Sequence, residues 1–311
     1  MRRLAWAKAV TDYCPTCGGD LVSGQQCALC AALQPIEAID NAAAAIPAAD
    51  VPAAAFDQDA AAYERYLDRG RGRLRQELAV GNLLEALPDL SRRRRRVLDL
   101  GGGGGRLAVR LARLGHEIDL IDPSPEMVRL ARLRAHGAGV DESVTCTLGS
   151  AEDLAGAPAR YELIALHSVL EFVADPAALL ARAAAALLPG GYLSLLCANR
   201  LARPVMRALA GAEPSAIEAD LARRNFPTDL FGGSRNEYAW YELSLLIEDL
   251  GLAVIRECGV LVFAAMARGF SPPPDEAAWL RLELAAGHEV SYLGLARYVQ
   301  LIARRSGKRD E

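Results

Sequence analysis

The amino-acid sequence predicts an α/β protein built on a doubly wound, mostly parallel sheet of seven strands. Short apolar segments alternate with helical segments between residues 97 and 197, which is the pattern of repeated strand–helix–strand units. A run of glycines at 101–105 follows the first apolar segment, and further apolar segments at 252–257, 260–265 and 298–303 complete the sheet. The chain has 311 residues, 52% of them hydrophobic, which is enough to bury a large core.

Charge and hydropathy exclude two classes of protein. The net charge of −4 argues against a protein that coats nucleic acid, although it is compatible with a local basic patch. No apolar run reaches the ~18 residues that span a bilayer. Asp12 interrupts the N-terminal segment before the hydrophobic region of a signal peptide can form. We therefore expect a cytoplasmic protein without a membrane partner.

Two CxxC pairs close to the N-terminus predict a small metal-binding unit over residues 1–32. Two such knuckles supply the four thiolates of a tetrahedral structural Zn²⁺ site, a zinc ribbon. The alternatives are disulfides, which are disfavoured in a cytoplasmic protein, and unrelated reduced thiols. The ribbon would dock on RNA or protein, or only stiffen the N-terminus. The predicted zinc ligands are Cys14, Cys17, Cys27 and Cys30.

The rest of the chain divides into a linker and one large domain. Residues 33–59 are rich in Ala and Pro and predict a linker without a packed element. The domain extends over 60–307 and opens with two helices, because Gly70 and Gly72 interrupt a helical pattern over 60–87. An insertion at about 200–238, which contains several Pro residues and a Gly-Gly pair, is expected to form a helical cap.

The glycine run predicts a ligand-binding turn between a strand and a helix. Glycines at 101, 103 and 105 allow a tight turn and a close approach of the backbone to a ligand. Asp99 precedes the first glycine by two positions, which is typical of class I S-adenosylmethionine-dependent methyltransferases rather than of dehydrogenases. Asp122 ends the second strand 17 residues after Gly105, near the spacing at which a carboxylate accepts ribose hydroxyls. A helix N-cap is the alternative interpretation of Asp122.

Residues 63–305 as a whole resemble the tRNA 5-carboxymethoxyuridine methyltransferases. These enzymes convert the carboxylate of a modified wobble uridine into its methyl ester. The resemblance depends on residues 72–76 (GRLRQ), 96–99 (RVLD) with the glycine turn, 114–116 (LGH), 167–176 (HSVLEFVADP), 259–263 (GVLVF), Tyr292 and 296–298 (ARY).

The resemblance implies a set of contacts with S-adenosylmethionine. Arg75 would pair with the methionine carboxylate, His167 would border the sulfonium, and Ala151 and Glu152 would lie beside the adenine. The alternatives are a surface helix charge for Arg75 and a hydrogen-bonded strand-end histidine for His167. The implied cofactor residues are Arg75, Gly101, Gly102, Asp122, Ala151, Glu152 and His167, to which the motif adds Asp99 and Gly103.

The chemistry of a carboxylate acceptor indicates which residues would hold it. A carboxylate acceptor is ionised at pH 7 and needs no general base, so an arginine that holds one of its oxygens would suffice. Asn199 and Arg200 follow the fifth strand and are the candidates for this role. Arg297 and Tyr298 are weaker candidates, with sheet packing as the alternative. The cap adds Arg203, Arg207, Arg223, Arg224 and Arg235.

Several positions depart from the resemblance, so three functions stay open. Cys197 and Ala198 stand where the family has Phe-Tyr before the retained Asn199, and the alanines at 264–265 replace a polar His-Asp pair. The arginines at 92–96 precede the first strand, where we expect a solvated loop. The predicted partner is tRNA or a small carboxylate. The alternatives are a small-molecule carboxyl or hydroxyl O-methyltransferase, and a zinc-ribbon adaptor that binds the cofactor without catalysis.

Overall fold

The computed structural model describes residues 53–156, 158–228, 231–267, 270 and 275–307. The four predicted zinc ligands and the linker up to residue 52 lie outside these residues. Within the described ranges, no helix is both long enough and apolar enough to cross a membrane.

A seven-stranded sheet forms the centre of the molecule, as predicted, in the order β3-β2-β1-β4-β5-β9-β8. The first five strands are parallel, and β9 pairs antiparallel with both β5 and β8. Because β1 pairs with β2 on one side and β4 on the other, the loops after β1 and β4 diverge and open a crevice at the carboxyl edge. The strands are β1 (Arg96–Leu100), β2 (Glu117–Asp122), β3 (Val144–Leu148), β4 (Tyr161–His167), β5 (Leu187–Ala198), β8 (Leu252–Val260) and β9 (Tyr298–Arg305), with a separate hairpin of β6 (Asn225–Pro227) and β7 (Ser234–Asn236).

Helices cover both faces of the sheet, and the cap insertion supplies two more. They are α1 (Ala53–Leu67), α2 (Gly70–Ala86), α3 (Arg106–Ala112), α4 (Pro125–Gly137), α5 (Pro176–Ala186), α6 (Ala202–Leu209), α7 (Pro214–Leu221), α8 (Trp240–Glu248), α9 (Phe263–Met266) and α10 (Glu276–Gly287). The predicted cap corresponds to α6, α7 and the β6–β7 hairpin.

The core consists of two apolar layers on opposite faces of the sheet. Neighbouring residues of β1 enter different layers: Leu98 packs with residues of α5 and α8, and Val97 packs with residues of α2, α3 and α4. Leu163 and Ile164 of β4 divide in the same way. Burial on both faces explains why these strands are almost continuously apolar.

The first helix begins earlier than expected. Helix α1 starts at Ala53, so the predicted linker, 33–59, is too long at this end. The cause is packing, because the Phe56 ring lies 5.4 Å from the Phe172 ring and 4.5 Å from the Phe231 ring. The predicted break between two helices is confirmed, because α1 ends at Leu67 and α2 begins at Gly70, which has a φ of 48°. A Cβ at Gly72 would clash with the carbonyl of Tyr66, so the close approach of the two helices requires glycine there.

The expected strand at 260–265 is wrong. Strand β8 ends at Val260, Leu261 has a φ of 58°, and α9 follows. The buried Glu283 carboxylate of α10 accepts hydrogen bonds from the backbone N–H groups of Val262 and Ala264, at 2.5 and 2.6 Å. These donors at the start of a helix need an acceptor, and a distant carboxylate provides it.

The arginine run lies at the amino edge of the sheet, as expected, but the predicted solvated loop is wrong for its last two residues, because Arg95 is buried and Arg96 begins β1. Its charges are neutralised locally by carboxylates of β2, β4 and the preceding loop. The ion pairs are Arg93–Glu162 at 2.8 Å, Arg94–Glu117 at 2.6 Å, Arg95–Asp89 at 2.5 Å and Arg96–Asp119 at 2.9 Å.

Candidate active site

The glycine turn wraps closely around the ends of β1 and β2. The backbone N–H of Gly101 donates to the Ile121 carbonyl at 2.7 Å. Gly101 has a φ of 71°, and a Cβ there would lie 2.5 Å from a methyl carbon of Val169. A Cβ on Gly102 would lie 2.8 Å from the Asp99 carboxylate. Only glycine therefore fits both positions, and the turn leaves its backbone open to a ligand.

Asp122 joins the glycine turn to the loop after β2. One carboxylate oxygen accepts from Gly103 N–H at 2.8 Å, and the other accepts from Ser124 N–H at 2.9 Å. The N-cap of α4 is Ser124, whose hydroxyl accepts from Met127 N–H at 3.1 Å. The N-cap interpretation of Asp122 is therefore wrong, and its two carboxylate oxygens hold one backbone N–H group of the glycine turn and one of the loop after β2.

Asp99 is a buried carboxylate with unused hydrogen-bonding capacity. It is only 3% exposed, and its Oδ2 has no hydrogen-bond partner among the described residues. Burial, reinforced by Asp122, raises its pKa to about 7. An acceptor left without a donor is costly in an apolar environment, so this oxygen is available to a ligand that carries an N–H group.

Arg75 is a buried guanidinium without a carboxylate partner in the described part of the chain. It donates to the Tyr63 hydroxyl at 3.1 Å and lies 4.8 Å from the centroid of the Tyr298 ring. The interpretation of Arg75 as a surface charge is wrong, because the residue is 3% exposed. A buried cation that lacks an anion is unfavourable, so its position suits an anionic ligand group.

His167 ends β4 and lines the crevice beside the glycine turn. Its Nε2 lies 2.8 Å from the Ser194 hydroxyl, so it is a hydrogen-bonded strand-end histidine as well as a wall residue. Burial, together with the positive charge of Arg75, lowers its pKa to about 3. The imidazole is therefore neutral at physiological pH.

Two cavities flank the glycine turn and fit the parts of S-adenosylmethionine. The smaller, about 50 Å³, is lined by Asp99, the glycine backbone and His167. The larger, about 320 Å³, has mainly apolar walls that include Ala151 and also Glu152, as a flat adenine requires. The unpartnered Asp99 oxygen, the glycine backbone and the Arg75 guanidinium match the ammonium group, the close backbone approach and the carboxylate of this cofactor.

A third cavity, about 400 Å³, opens next to Arg75 and Tyr63. Its walls combine guanidinium groups with aromatic rings, and two of the weaker sequence candidates, Arg297 and Tyr298, belong to it. The lining residues used below are Arg75, Arg203, Arg235, Arg297, Glu171, Tyr63, Tyr66, Tyr298, Phe172 and Phe231.

Glu237 organises this cavity, and the sequence analysis missed it. Its buried carboxylate accepts from Arg203 at 2.8 Å, Arg235 at 2.9 Å and Arg297 at 3.2 Å. Burial alone would raise the pKa of this carboxyl, but Arg297 and the other two guanidiniums lower it to about 2. The carboxylate of Glu237, which does not itself line the cavity, thus holds three guanidiniums of the cavity wall in place.

Asn199 and Arg200 do not line the cavity, so the prediction that they position the substrate is wrong. The Asn199 side chain is fully buried and donates to the carbonyls of Leu293 and Ala296, both at 2.8 Å. Arg200 forms an ion pair with Glu242 at 2.8 Å. Both side chains are already bound within the protein, where they fix the loop after β5.

Comparison with known proteins agrees with this geometry. A family model for a methyltransferase domain matches residues 98–195. The chain is 30% identical over 262 residues to the tRNA 5-carboxymethoxyuridine methyltransferase of Escherichia coli K12, covering 82% of this chain and 98% of that protein. It is also 41% identical over 119 residues to a ubiquinone biosynthesis O-methyltransferase of Xanthomonas euvesicatoria, covering 38% of this chain and 49% of that protein.

Solved methyltransferases share the fold at low identity. An S-adenosylmethionine-dependent methyltransferase from Listeria monocytogenes has a TM-score of 0.54 at 14% identity, covering 74% of this chain and 97% of that chain. One from Thermotoga maritima has a TM-score of 0.51 at 18% identity, covering 81% and 99%. These structures show the fold, and the 30% identity over nearly the whole Escherichia coli protein shows that the chain belongs to the tRNA 5-carboxymethoxyuridine methyltransferase family of class I S-adenosylmethionine-dependent methyltransferases.

Proposed function

We propose that the enzyme forms the methyl ester of a carboxylate, and that this carboxylate belongs to 5-carboxymethoxyuridine at the wobble position of tRNA. The observation that carries the proposal is the charge of the 400 Å³ cavity. Four guanidiniums line it, and the nearby carboxylates are Glu171 in the wall and Glu237 behind it. With Arg75 assigned to the cofactor carboxylate, three guanidiniums face these two carboxylates, and one positive charge is left for the acceptor. An anionic acceptor supplies the negative charge that the described walls lack.

The aromatic walls favour a nucleoside over a simple aliphatic acid. The Phe231 ring lies 5.2 Å from the Tyr63 ring and 5.9 Å from the Phe172 ring. Single-stranded RNA bases are commonly recognised by stacking on such side chains. A flipped uridine that carries a carboxylate satisfies both the aromatic and the cationic parts of the lining.

The proposed reaction needs positioning rather than proton transfer. When bound, S-adenosylmethionine supplies the methyl group, and an ionised carboxylate attacks it without a base. Arg75 would bind the cofactor carboxylate, Asp122 the ribose hydroxyls, and Ala151 and Glu152 would border the adenine. The arginines held by Glu237 would then orient the acceptor, and their fixed arrangement removes the cost of reorganisation.

The surface of the cap supports only a modest contribution from phosphate contacts. Arg207 pairs with Asp220, and Arg224 pairs with Glu242 at 2.6 Å. Each phosphate contact that is not made removes nearly one unit from the salt dependence of binding. We therefore expect recognition of tRNA to depend on the nucleoside pocket more than on the backbone.

A hydroxyl O-methyltransferase is the second candidate, and one observation favours it. Burial alone would raise the pKa of the Tyr298 hydroxyl, but Arg75 and Arg297 lower it to about 8. A tyrosine with this pKa would accept the proton that a hydroxyl acceptor must lose. Acceptors of this type are consistent with the partial similarity to ubiquinone biosynthesis O-methyltransferases.

Transfer of radiolabelled methyl groups tests the proposal. The substrate is bulk tRNA from a strain that lacks the wobble carboxyl methyltransferase, and the expected product is an alkali-labile ester at the wobble uridine. Arg235→Gln, in the cavity wall, should lower the transfer, whereas Arg129→Gln, in an exposed ion pair with Glu126 outside the cavity, should not. An absence of label from an enzyme that still binds the cofactor would contradict the tRNA substrate, and labelling of small hydroxyl compounds would favour the second candidate.

We also propose that Cys14, Cys17, Cys27 and Cys30 bind one structural Zn²⁺. The support is their CxxC spacing alone. Purified protein should contain one zinc per chain, and the double change Cys14→Ser and Cys17→Ser should remove it. A metal-free wild type with full activity would contradict the site. RNA and protein remain the two proposed docking partners of this unit.

A further inference from the structure

We propose that Ser194 and Gln300 are positioning residues that hold His167 as a neutral imidazole with its proton on Nδ1. They would thereby present a fixed N–H donor, without a positive charge, beside the bound cofactor. The proposal rests on the cofactor half of the proposed function and is independent of the identity of the methyl acceptor.

The orientation of the Gln300 amide follows from its partners. Its nitrogen lies 3.1 Å from the carbonyl oxygen of Ala79 and 3.0 Å from the Ser194 hydroxyl. A carbonyl can only accept, so the amide nitrogen must face Ala79. The amide oxygen in turn accepts from Asn82 at 2.9 Å. Gln300 therefore donates to the oxygen of Ser194.

The single proton of the Ser194 hydroxyl then decides the tautomer of His167. The hydroxyl oxygen already accepts from Gln300, and His167 Nε2 lies 2.8 Å away. If Nε2 carried a proton, the buried hydroxyl proton would lose this acceptor, which is unfavourable. Ser194 therefore donates to Nε2, and the proton of the neutral ring lies on Nδ1.

This network is rigid because three elements of the fold contribute to it. Ala79 and Asn82 belong to α2, Ser194 to β5 and Gln300 to β9. Asn82, Ser194 and Gln300 are each no more than 1% exposed. A chain of buried hydrogen bonds that is fixed at both ends holds its members in one arrangement.

The arrangement suits the methionine part of the cofactor, because the carboxylate there can accept from the Nδ1–H group and a neutral ring does not add a positive charge. The cavity that His167 lines also contains Asp99 and the glycine backbone, which is the proposed site of the methionine part of the cofactor. A protonated imidazole would repel a sulfonium, whereas a neutral one does not. The nearby charge of Arg75 and the burial of the ring lower the pKa of His167, in agreement with the neutral form.

Nitrogen NMR of the imidazole rings tests the proposal directly. The chain contains four histidines, so His167→Gln assigns the signals of interest. In the cofactor-free wild type we expect the Nδ1–H tautomer of His167, unchanged from pH 8 to about pH 5, which is below the usual histidine pKa. An Nε2–H tautomer, or a mixture of both, would overturn the proposal.

Variants connect the tautomer to the binding of the cofactor. Ser194→Ala should release Nε2, change the tautomer and weaken S-adenosylmethionine binding by about 5-fold, as for one neutral hydrogen bond. Ser194→Thr keeps the hydroxyl and should restore the wild-type spectrum. Ser244→Ala, which removes a hydroxyl bonded to Trp240 and Glu257, is the matched control.

Each outcome of the variant experiment is decisive. An unchanged tautomer in Ser194→Ala would refute the role of Ser194, and a changed tautomer with unchanged calorimetric affinity would refute its importance for the cofactor. If Ser194→Ala does not fold, Ser194→Thr and the wild-type spectrum still decide the tautomer. None of these measurements needs a methyl acceptor, so a failure of the tRNA proposal would not affect them.

Discussion

Replacing Glu237 with Gln removes the one carboxylate that Arg203, Arg235 and Arg297 share, and we expect a loss of about 3 kcal/mol of folding free energy at pH 7. The magnitude follows from the pKa of the carboxyl, which falls from an ordinary 4.5 to about 2 in the folded protein. Each pKa unit corresponds to about 1.4 kcal/mol of preference for the charged form. Because the pKa is depressed on folding, this stability is present above about pH 4.5 and is lost as the pH falls towards 2.

Urea unfolding, followed by circular dichroism, measures the difference between Glu237→Gln and wild type. The gap should be complete at pH 7 and should narrow as the pH falls from about 4.5. Glu126→Gln is the control, because the Glu126–Arg129 ion pair is exposed and should contribute nothing measurable. A gap that is absent at pH 7, or that is equally large at pH 7 and pH 3.5, would refute the reasoning.

Three further changes probe the cofactor crevice. Gly101→Ala should destabilise the fold by roughly 1–3 kcal/mol and abolish cofactor binding, because its Cβ would clash with Val169. Gly115→Ala is the control: its φ is 94° but its Cβ would lie in open space, so it should lose folding free energy through backbone strain and keep cofactor binding. Asp122→Ala should weaken calorimetric binding of S-adenosylmethionine by about 1–3 kcal/mol, and an unchanged affinity would contradict its ribose role. Arg75→Met should lose cofactor affinity without a loss of thermal stability, because it removes a buried cation that lacks a carboxylate partner in the described structure; a large drop in melting temperature would argue against this account.

The cofactor turn could be predicted because its determinants are local. Asp99, the glycines and the end of β2 are fixed by short spacings that any strand–turn–helix unit must satisfy. Arg75 is different, because only the family resemblance selected it among many arginines. Its burial without a carboxylate partner among the described residues, which is the physical support for its proposed role, became visible only in three dimensions.

The arginines of the proposed acceptor pocket were among the candidates, but Glu237, which holds them together, could not be predicted for the opposite reason. Glu237 meets Arg235 two positions away, but Arg203 is 34 positions away and Arg297 is 60 positions away. No local pattern indicates such a convergence. Asn199 was wrongly predicted to position the substrate, because it follows a strand at the carboxyl edge of the sheet. Its side-chain amide instead donates to two backbone carbonyls.

The position of β9 between β5 and β8 has a consequence for how the enzyme is made. Ser194 and Gln300, which meet beside His167, are separated by 106 positions in the chain. While the polypeptide is being synthesised, the glycine turn and the parallel strands emerge first, and the edge of β5 stays open to pairing with other chains. Arg297 and Tyr298 arrive together with the strand that closes this edge. A nascent chain therefore has the glycine turn and its crevice before it has the arginine-lined cavity, which is complete only when β9 has covered the edge of β5.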